Sequence, residues 1–383
     1  MTRILLYNAL GNHLSEAYEE FVSMLADQLR LHYEVTVASS MHDVPLKELS
    51  SFSIVHILGC WKSSAASLLL KADERNVLSV FSPLGGLQPW RIKRHSGIFS
   101  VSRKRQMTQR ASAVHLCGKL ERKTFEQLGW NRRTATIKNP VFTGEITPGE
   151  MAAQMMALYR KVVDSNARRV LSAEARTILG ALLQVGVDDF VLRDKKHCDE
   201  VKKEAQQLTG EDWRMICIYA FDEMVGDELR LGLNRLHLEP PLVDVGSLDR
   251  FTSKSRYPEG PLKSDALMSH NILMKGKLHD YVSEDEVNEL KLCVQMANLR
   301  YEAERHRAPL RHLLDIYCTL RFCDTDEVRV VEILKMVNLD NFAARLMAVL
   351  QKVLGLTEGF MPLNPKDDSH AGRLLRILTK LPE

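Results

Sequence analysis

Six short runs, apolar or β-branched, punctuate the first 140 residues: Ile4–Asn8, Glu34–Ala38, Ile54–Leu58, Val77–Phe81, Ala113–Leu116 and Thr134–Ile137. Between them, apolar residues recur at helical spacing. Ser15–Leu31 carries Ala17, Phe21, Met24, Leu25 and Leu29; Ala65–Ala72 and Lys119–Leu128 follow, the last stopped by Gly129. Strands this short, alternating with helices, predict a parallel sheet covered on both faces, because parallel neighbours need a crossover between them. Sheets of that kind take ligands outside the carboxyl ends of their strands.

The pattern changes after Asn139-Pro140. Thr147-Pro148-Gly149-Glu150 reads as a helix start: a Thr cap, Pro in the first turn and an acid three residues after the cap. Helices are expected over Glu150–Val163, Ala173–Leu183 and, at mixed spacing, Trp213–Leu236. Pro240–Pro261, with its Pro, Gly and Ser, reads as an irregular connection. Further helices are expected at Val287–Arg305, Leu310–Arg321, Asp326–Val337, Asn341–Leu354 and Ala371–Thr379. The fold class is therefore an α/β Rossmann-like N-terminal lobe followed by an all-α C-terminal region. The expected division is 1–145, a helical linker region 146–240 and a helical domain 241–383; 383 residues suit about two domains.

No apolar run approaches the roughly 20 residues that span a bilayer, and the N-terminus lacks the long apolar core of a signal peptide. Seven scattered cysteines without Cys-x-x-Cys argue against a disulfide framework or a zinc site; reduced thiols and a cytoplasmic location are expected, with no metal and no cofactor.

Charge is unevenly spread. From Pro83 to Lys138, thirteen Lys/Arg face only Glu121 and Glu126, a local balance of +11 against +3 for the whole chain. The run begins at Ser82-Pro83-Leu84-Gly85-Gly86-Leu87-Gln88-Pro89-Trp90. A Gly- and Pro-rich loop, an amphipathic Trp and a dense positive field point to an anionic partner. Arg91, Lys93, Arg94, Arg103, Lys104 and Arg105 are the candidates to face an anionic membrane or a lipid-linked phosphate, peripheral to the inner membrane face; each contributes roughly 1 kcal/mol near such a surface. A solvated surface is the plainer alternative. No nucleic-acid module accompanies the charge, which argues against nucleic acid.

Three landmarks, in order, resemble the N-terminal, acceptor-side domain of family 4 glycosyltransferases of the two-lobed GT-B fold. Val55-His56-Ile57-Leu58-Gly59-Cys60-Trp61 is similar to a strand ending in His-Gly-x-Trp. The Ser82–Trp90 stretch is similar to the family's Ser-Pro-His-Gly-x-Leu-x-Pro-Trp loop. Ala111–His115, the helix Lys119–Leu128 and Ile137-Lys138-Asn139-Pro140-Val141 are similar to its last strand, helix and Asn-Pro loop. The resemblance implies a single GT-B half that handles a nucleotide sugar and a lipid-linked or glycan acceptor. It implies ligand contacts at Gly11, Asn12, Gly59, Trp61, Gly85, Gly86, Trp90 and Asn139; His13, in the loop after the first strand at the ligand end of the sheet, is the remaining candidate for a base. The plainer reading is favoured for both: Asn139 as fixing a turn, and His13 as a turn or capping residue.

The departures weigh as much. The family's strand-end and loop histidines are Leu58 and Leu84 here, and leucine neither takes a proton nor bonds a hydroxyl. No two glutamates stand eight apart, as the family's donor lobe requires. Two readings follow: a glycosyltransferase-like protein of polysaccharide or glycoconjugate assembly that lacks a recognisable donor lobe, or a catalytically inactive sugar- or anion-binding module with a helical protein-interaction domain. Whether the chain is an enzyme stays open between them. His56 and His115 are expected as satisfied core residues, and His306 and His312 on an exposed helix face.

Overall fold

A computed structural model describes residues 2–10, 16–60, 62–88, 98–251, 272–305 and 308–379. Six strands, β1 (Arg3–Asn8), β2 (Glu34–Ala38), β3 (Ile54–Leu58), β4 (Leu78–Ser82), β5 (Ala113–Leu116) and β6 (Thr134–Thr136), form one sheet in the order β2-β1-β3-β4-β5-β6. Every pairing is parallel. The sheet is thus the doubly wound arrangement that the sequence predicts. β3, β4 and β5 are buried at every residue, which is why they read as continuous apolar runs rather than alternating ones.

Side-chain alternation splits the lobe's interior in two. Leu5, Tyr7, Val55, Ile57, Phe81, Val114 and Leu116 share a core with Leu68, Leu69, Met107 and Phe125. 

 The helices over that face are α2 (Ser64–Glu74), which supplies both leucines, α3 (Ile98–Arg110) with Met107, and α4 (Lys119–Leu128) with Phe125. The opposite face carries His56, Ser82 and His115. It is covered by α1 (Glu16–Arg30) and by α6 (Pro148–Asp164), which follows the single turn α5 (Pro140–Thr143). α6 starts on the expected capping box: Thr147 and Glu150 satisfy each other's backbone, with Pro148 in the first turn. Gly129, at φ +61°, ends α4 in the left-handed region where glycine carries no steric cost. The sequence missed α3, because its residues are mostly polar and basic and show no apolar periodicity.

The first compact unit is residues 1–166 with 249–251; the second comprises 167–248 and 252–383. Among its described residues the second unit has no strand. It is built from α7 (Ala167–Val170), α8 (Ala173–Val187), α9 (Lys195–Ala205), α10 (Gly210–Asp222), α11 (Gly226–Leu236), α12 (Ile272–Tyr281), α13 (Val287–Glu304), α14 (Leu310–Phe322), α15 (Glu327–Met336), α16 (Asp340–Leu354) and α17 (Ser369–Thr379). Trp213–Leu236, expected as one helix, is two. α10 opens on a Thr209–Asp212 capping box, and Met224 at φ +60° breaks the chain before α11. Among the described residues no helix is long and apolar enough to cross a membrane.

Glycines set the closest packing in this unit. A Cβ on Gly232 of α11 would lie 2.0 Å from the Leu182 carbonyl oxygen of α8, and one on Gly186 of α8 would lie 2.1 Å from that of Glu228. On another side of α8, a Cβ on Gly180 would meet the Val353 oxygen of α16 at 2.3 Å. Those backbones touch where any side chain would separate them. His312, expected on an exposed face, is instead buried within α14, 8% exposed. His306 lies outside the described residues.

Candidate functional site

The strand order reverses direction between β1 and β3, so the switch point of the sheet lies outside their carboxyl ends. The loops there are tied by main-chain bonds. Ala9 N–H donates to Leu58 O at 2.8 Å, and Gly59 N–H, at φ +91°, donates to Ser82 O at 2.7 Å. Lys62 reaches from the loop after β3 to the carbonyls of Asn8 and Ser39, at 3.2 and 2.8 Å. Its ammonium thereby sits over the ends of β1 and β2, just before α2 begins. The sequence reading passed over Lys62; the signal was a lysine between a strand-end Gly and a Ser-Ser helix start. Gly11, Asn12, His13 and Trp61, the other expected residues of this edge, lie outside the described residues.

The loop after β4 is clamped from two sides. Leu84 and Gly85 both take positive φ, +49° and +77°. Gly85 N–H donates to Glu121 Oε1 at 2.6 Å, and Cys117 N–H donates to Glu121 Oε2 at 2.8 Å. One carboxyl group of α4 therefore joins the loops after β4 and β5. Burial pushes its pKa up, and the two amide donors oppose that. Lys104 of α3 is buried and donates to Gly86 O at 3.1 Å. Leu84, in the place where the resembling family has a polar group, is packed inside the lobe at 2% exposed. Arg103 is partly exposed and Arg105 exposed. Trp90, Arg91, Lys93 and Arg94 lie outside the described residues.

Behind these loops runs a buried chain of hydrogen bonds: Tyr159 to His56 Nδ1 at 2.7 Å, His56 Nε2 to Ser82 Oγ at 2.6 Å, Ser82 Oγ to His115 Nδ1 at 2.7 Å, and His115 Nε2 to Ile137 O at 3.0 Å. Its polarity follows from the last link. A carbonyl only accepts, so His115 carries its proton on Nε2 and accepts from Ser82 at Nδ1. Ser82 has then given its only proton, so it accepts from His56 Nε2–H, and His56 Nδ1 accepts from Tyr159. Both imidazoles are neutral. Burial holds His115 down to about 4, and burial together with its neighbour His115 holds His56 well below the usual histidine range. The chain is satisfied at every atom and sealed from solvent, as expected for core histidines.

Asn139 differs. Its Oδ1 accepts from Val141 N–H at 2.9 Å, capping α5, which is the turn-fixing role expected of it. Its Nδ2 is buried and has no acceptor, and Thr136 Oγ1 nearby in sequence is likewise unpartnered. Asn139 itself is 1% exposed. A buried amide donor left without a partner costs about 1–3 kcal/mol, so this position on the carboxyl side of β6 stands out from the satisfied groups around it.

The described edge thus offers a lysine and one neutral donor, while the amides of Ala9, Gly59, Gly85, Gly86 and Cys117 are spent on internal bonds. It offers no titratable side chain free to move a proton: His56, His115 and Glu121 are all held by internal bonds. Among the described residues no cluster of three or more His, Cys, Asp or Glu could hold a metal. No protein-family model, no curated protein and no solved structure matches the chain.

Proposed function

We propose that the N-terminal lobe binds an anionic sugar-type ligand, in the class of nucleotide sugars or sugar phosphates, outside the carboxyl ends of its strands and without turning it over. In this reading the helical unit is a platform for a protein partner. The observation that carries it is Asn139: a buried donor without an acceptor, on the side of the sheet where parallel sheets hold ligands. Lys62 supplies positive charge at the switch point, and Gly85 borders open space, with no atom within 4 Å of where a Cβ would stand. Leucines at 58 and 84, and histidines locked into a neutral chain, favour holding over catalysis.

Calorimetric titration with UDP-, GDP- and dTDP-sugars tests the proposal. Saturable binding of at least one is expected, weakened tenfold or more by Asn139→Asp, which keeps the capping acceptor, removes the free donor and adds a negative charge that opposes an anionic ligand. No heat with any of them overturns the reading. The second reading, a glycosyltransferase-like protein, rests on the ordered landmarks and needs a donor lobe from a partner chain. Transfer of labelled sugar to a lipid phosphate or glycan acceptor would favour it. The basic stretch through Arg103 and Arg105 is proposed to face an anionic bilayer; failure of anionic liposomes to co-sediment the protein at low salt removes that role.

A further inference from the structure

The helical unit carries a second group of residues that the lobe's reading does not use. Asp188, 2% exposed, ends α8 and spends both its oxygens internally. Oδ1 accepts from Phe190 N–H at 3.0 Å; Oδ2 accepts from Arg321 Nε at 2.7 Å and from the Tyr317 hydroxyl at 3.3 Å. Arg321 is therefore gripped by its Nε edge alone. Its two terminal nitrogens have no hydrogen-bond acceptor among the described residues. Three phenyl rings surround the guanidinium: Phe360 at 4.1 Å, Phe190 at 5.3 Å and Phe322 at 5.8 Å from ring centroid to Cζ. A second guanidinium, Arg193, lies 4.5 Å from the Phe190 ring. Phe190 and Phe322 are each 48% exposed.

Exposed phenylalanines are costly to leave in water, and here they frame a cation whose fork of donors is unspent. An arginine end with both terminal nitrogens free accepts a carboxylate in two parallel bonds. Aromatic rings held against arginine make up the kind of surface enriched at the centres of protein interfaces. Asp189, Asp194 and Glu358 flank the patch in sequence and are exposed, so a polyanion such as a nucleic-acid backbone or a lipid surface would meet repulsion there. A single carboxylate beside an apolar side chain meets less of that repulsion and finds the two guanidinium groups of Arg321 and Arg193 at the centre of the patch.

We infer that Phe190, Arg193, Arg321, Phe322 and Phe360 form a docking surface for an acidic peptide segment of a partner protein, one that places a carboxylate on Arg321 and Arg193 and an adjacent apolar side chain against Phe190 and Phe322. The inference deepens the platform role proposed for the helical unit and does not depend on whether the lobe binds a sugar ligand.

The test selects a random eight-residue peptide display library on the full-length protein, with counter-selection on the Phe190→Ala variant. The expected result is enrichment of sequences with Asp or Glu next to Phe, Leu or another apolar residue. A labelled peptide of the enriched class should lose affinity tenfold or more with Phe190→Ala or Arg193→Ala, and weaken as salt rises. Both positions are exposed, and circular dichroism of the variants confirms that they fold. Enrichment of basic or purely neutral peptides, no enrichment, or binding unchanged by both variants overturns the inference. Self-association of the chain that Phe190→Ala abolishes also overturns it, by assigning the surface to a second copy. Sugar-ligand calorimetry on the same variants should be unchanged, so failure here is distinguishable from failure of the lobe's reading.

Discussion

The two units bury the same side chain in opposite ways. In the lobe, His56 and His115 are sealed in and every ring nitrogen has a partner. In the helical unit, His312 is buried with neither nitrogen bonded. The sheet explains the first case. Phe81 of β4 pairs with Val114 of β5, so the next residues, Ser82 and His115, stand side by side on one face. His56 pairs with Val80, two residues from Ser82 and on the same face. Adjacent strands thus bring polar groups together at a fixed spacing. A helix offers neighbours only three and four residues away, and the one at i+3 from His312, Asp315, is already engaged by Arg311 at 2.8 Å. The lobe satisfies its two buried histidines through side chains on neighbouring strands; the helical unit gains its closeness through backbone contact at glycines.

The comparison can be broken at its strongest point first. Gly232→Ala places a methyl group against the Leu182 carbonyl and should cost about 3 kcal/mol, by forcing α8 and α11 apart. Urea unfolding of the full chain, followed by circular dichroism, measures it. A loss below about 1 kcal/mol would mean that the helices can separate freely.

Acid probes both units. In the unfolded chain a histidine titrates near the usual value of about 6.5, whereas His115 and His312 in the folded protein are each held down to about 4, chiefly by burial. Between these limits the unfolded state binds more protons, so stability is lost as pH falls from about 6.5 towards about 4. Each histidine contributes about 1.4 kcal/mol per pH unit in that window. Denaturation midpoints across the range report it, and a flat profile contradicts the neutral chain.

Ser82→Ala removes the central hydroxyl, stranding the His56 Nε2–H donor and the His115 Nδ1 acceptor. A loss of about 2 kcal/mol is expected from two unpaired buried groups. His312→Leu should do the reverse. It replaces an unpaired polar ring by an apolar side chain and should raise stability by about 1 kcal/mol, while removing one histidine from the acid dependence. If Ser82→Ala is neutral or His312→Leu destabilising, the contrast between the two units fails.

Much of this fold was legible in the residues. The six strand runs, the Thr147–Glu150 helix start and the Gly129 stop all carry local signals: short apolar or β-branched runs, a capping pair, a residue suited to positive φ. The helix Ile98–Arg110 carried none, because its residues are mostly polar and basic, although Met107 reaches the core. Trp213–Leu236 read as one helix because both halves are apolar and the break falls at Met224, a residue that does not announce a turn. At the candidate site the Gly85-Gly86 loop and Asn139 were visible as residues. The Glu121 clamp was not, because it joins positions 36 apart in the chain, and Lys62 was missed because a lone loop lysine looks like any other until the strand order is known.

The sequence by itself determined that the first 140 residues form a covered parallel sheet and that the rest is helical, because burial on both faces and helical spacing are written into consecutive residues. The tertiary structure alone decided which groups are spent and which are free. The order of the strands put the switch point at Lys62, neighbouring strands consumed Ser82, His56 and His115 in one neutral chain, and Asn139 was left with an unused donor. Each of those outcomes depends on partners far apart in the chain, and a hydrogen bond between distant residues has no local pattern to betray it.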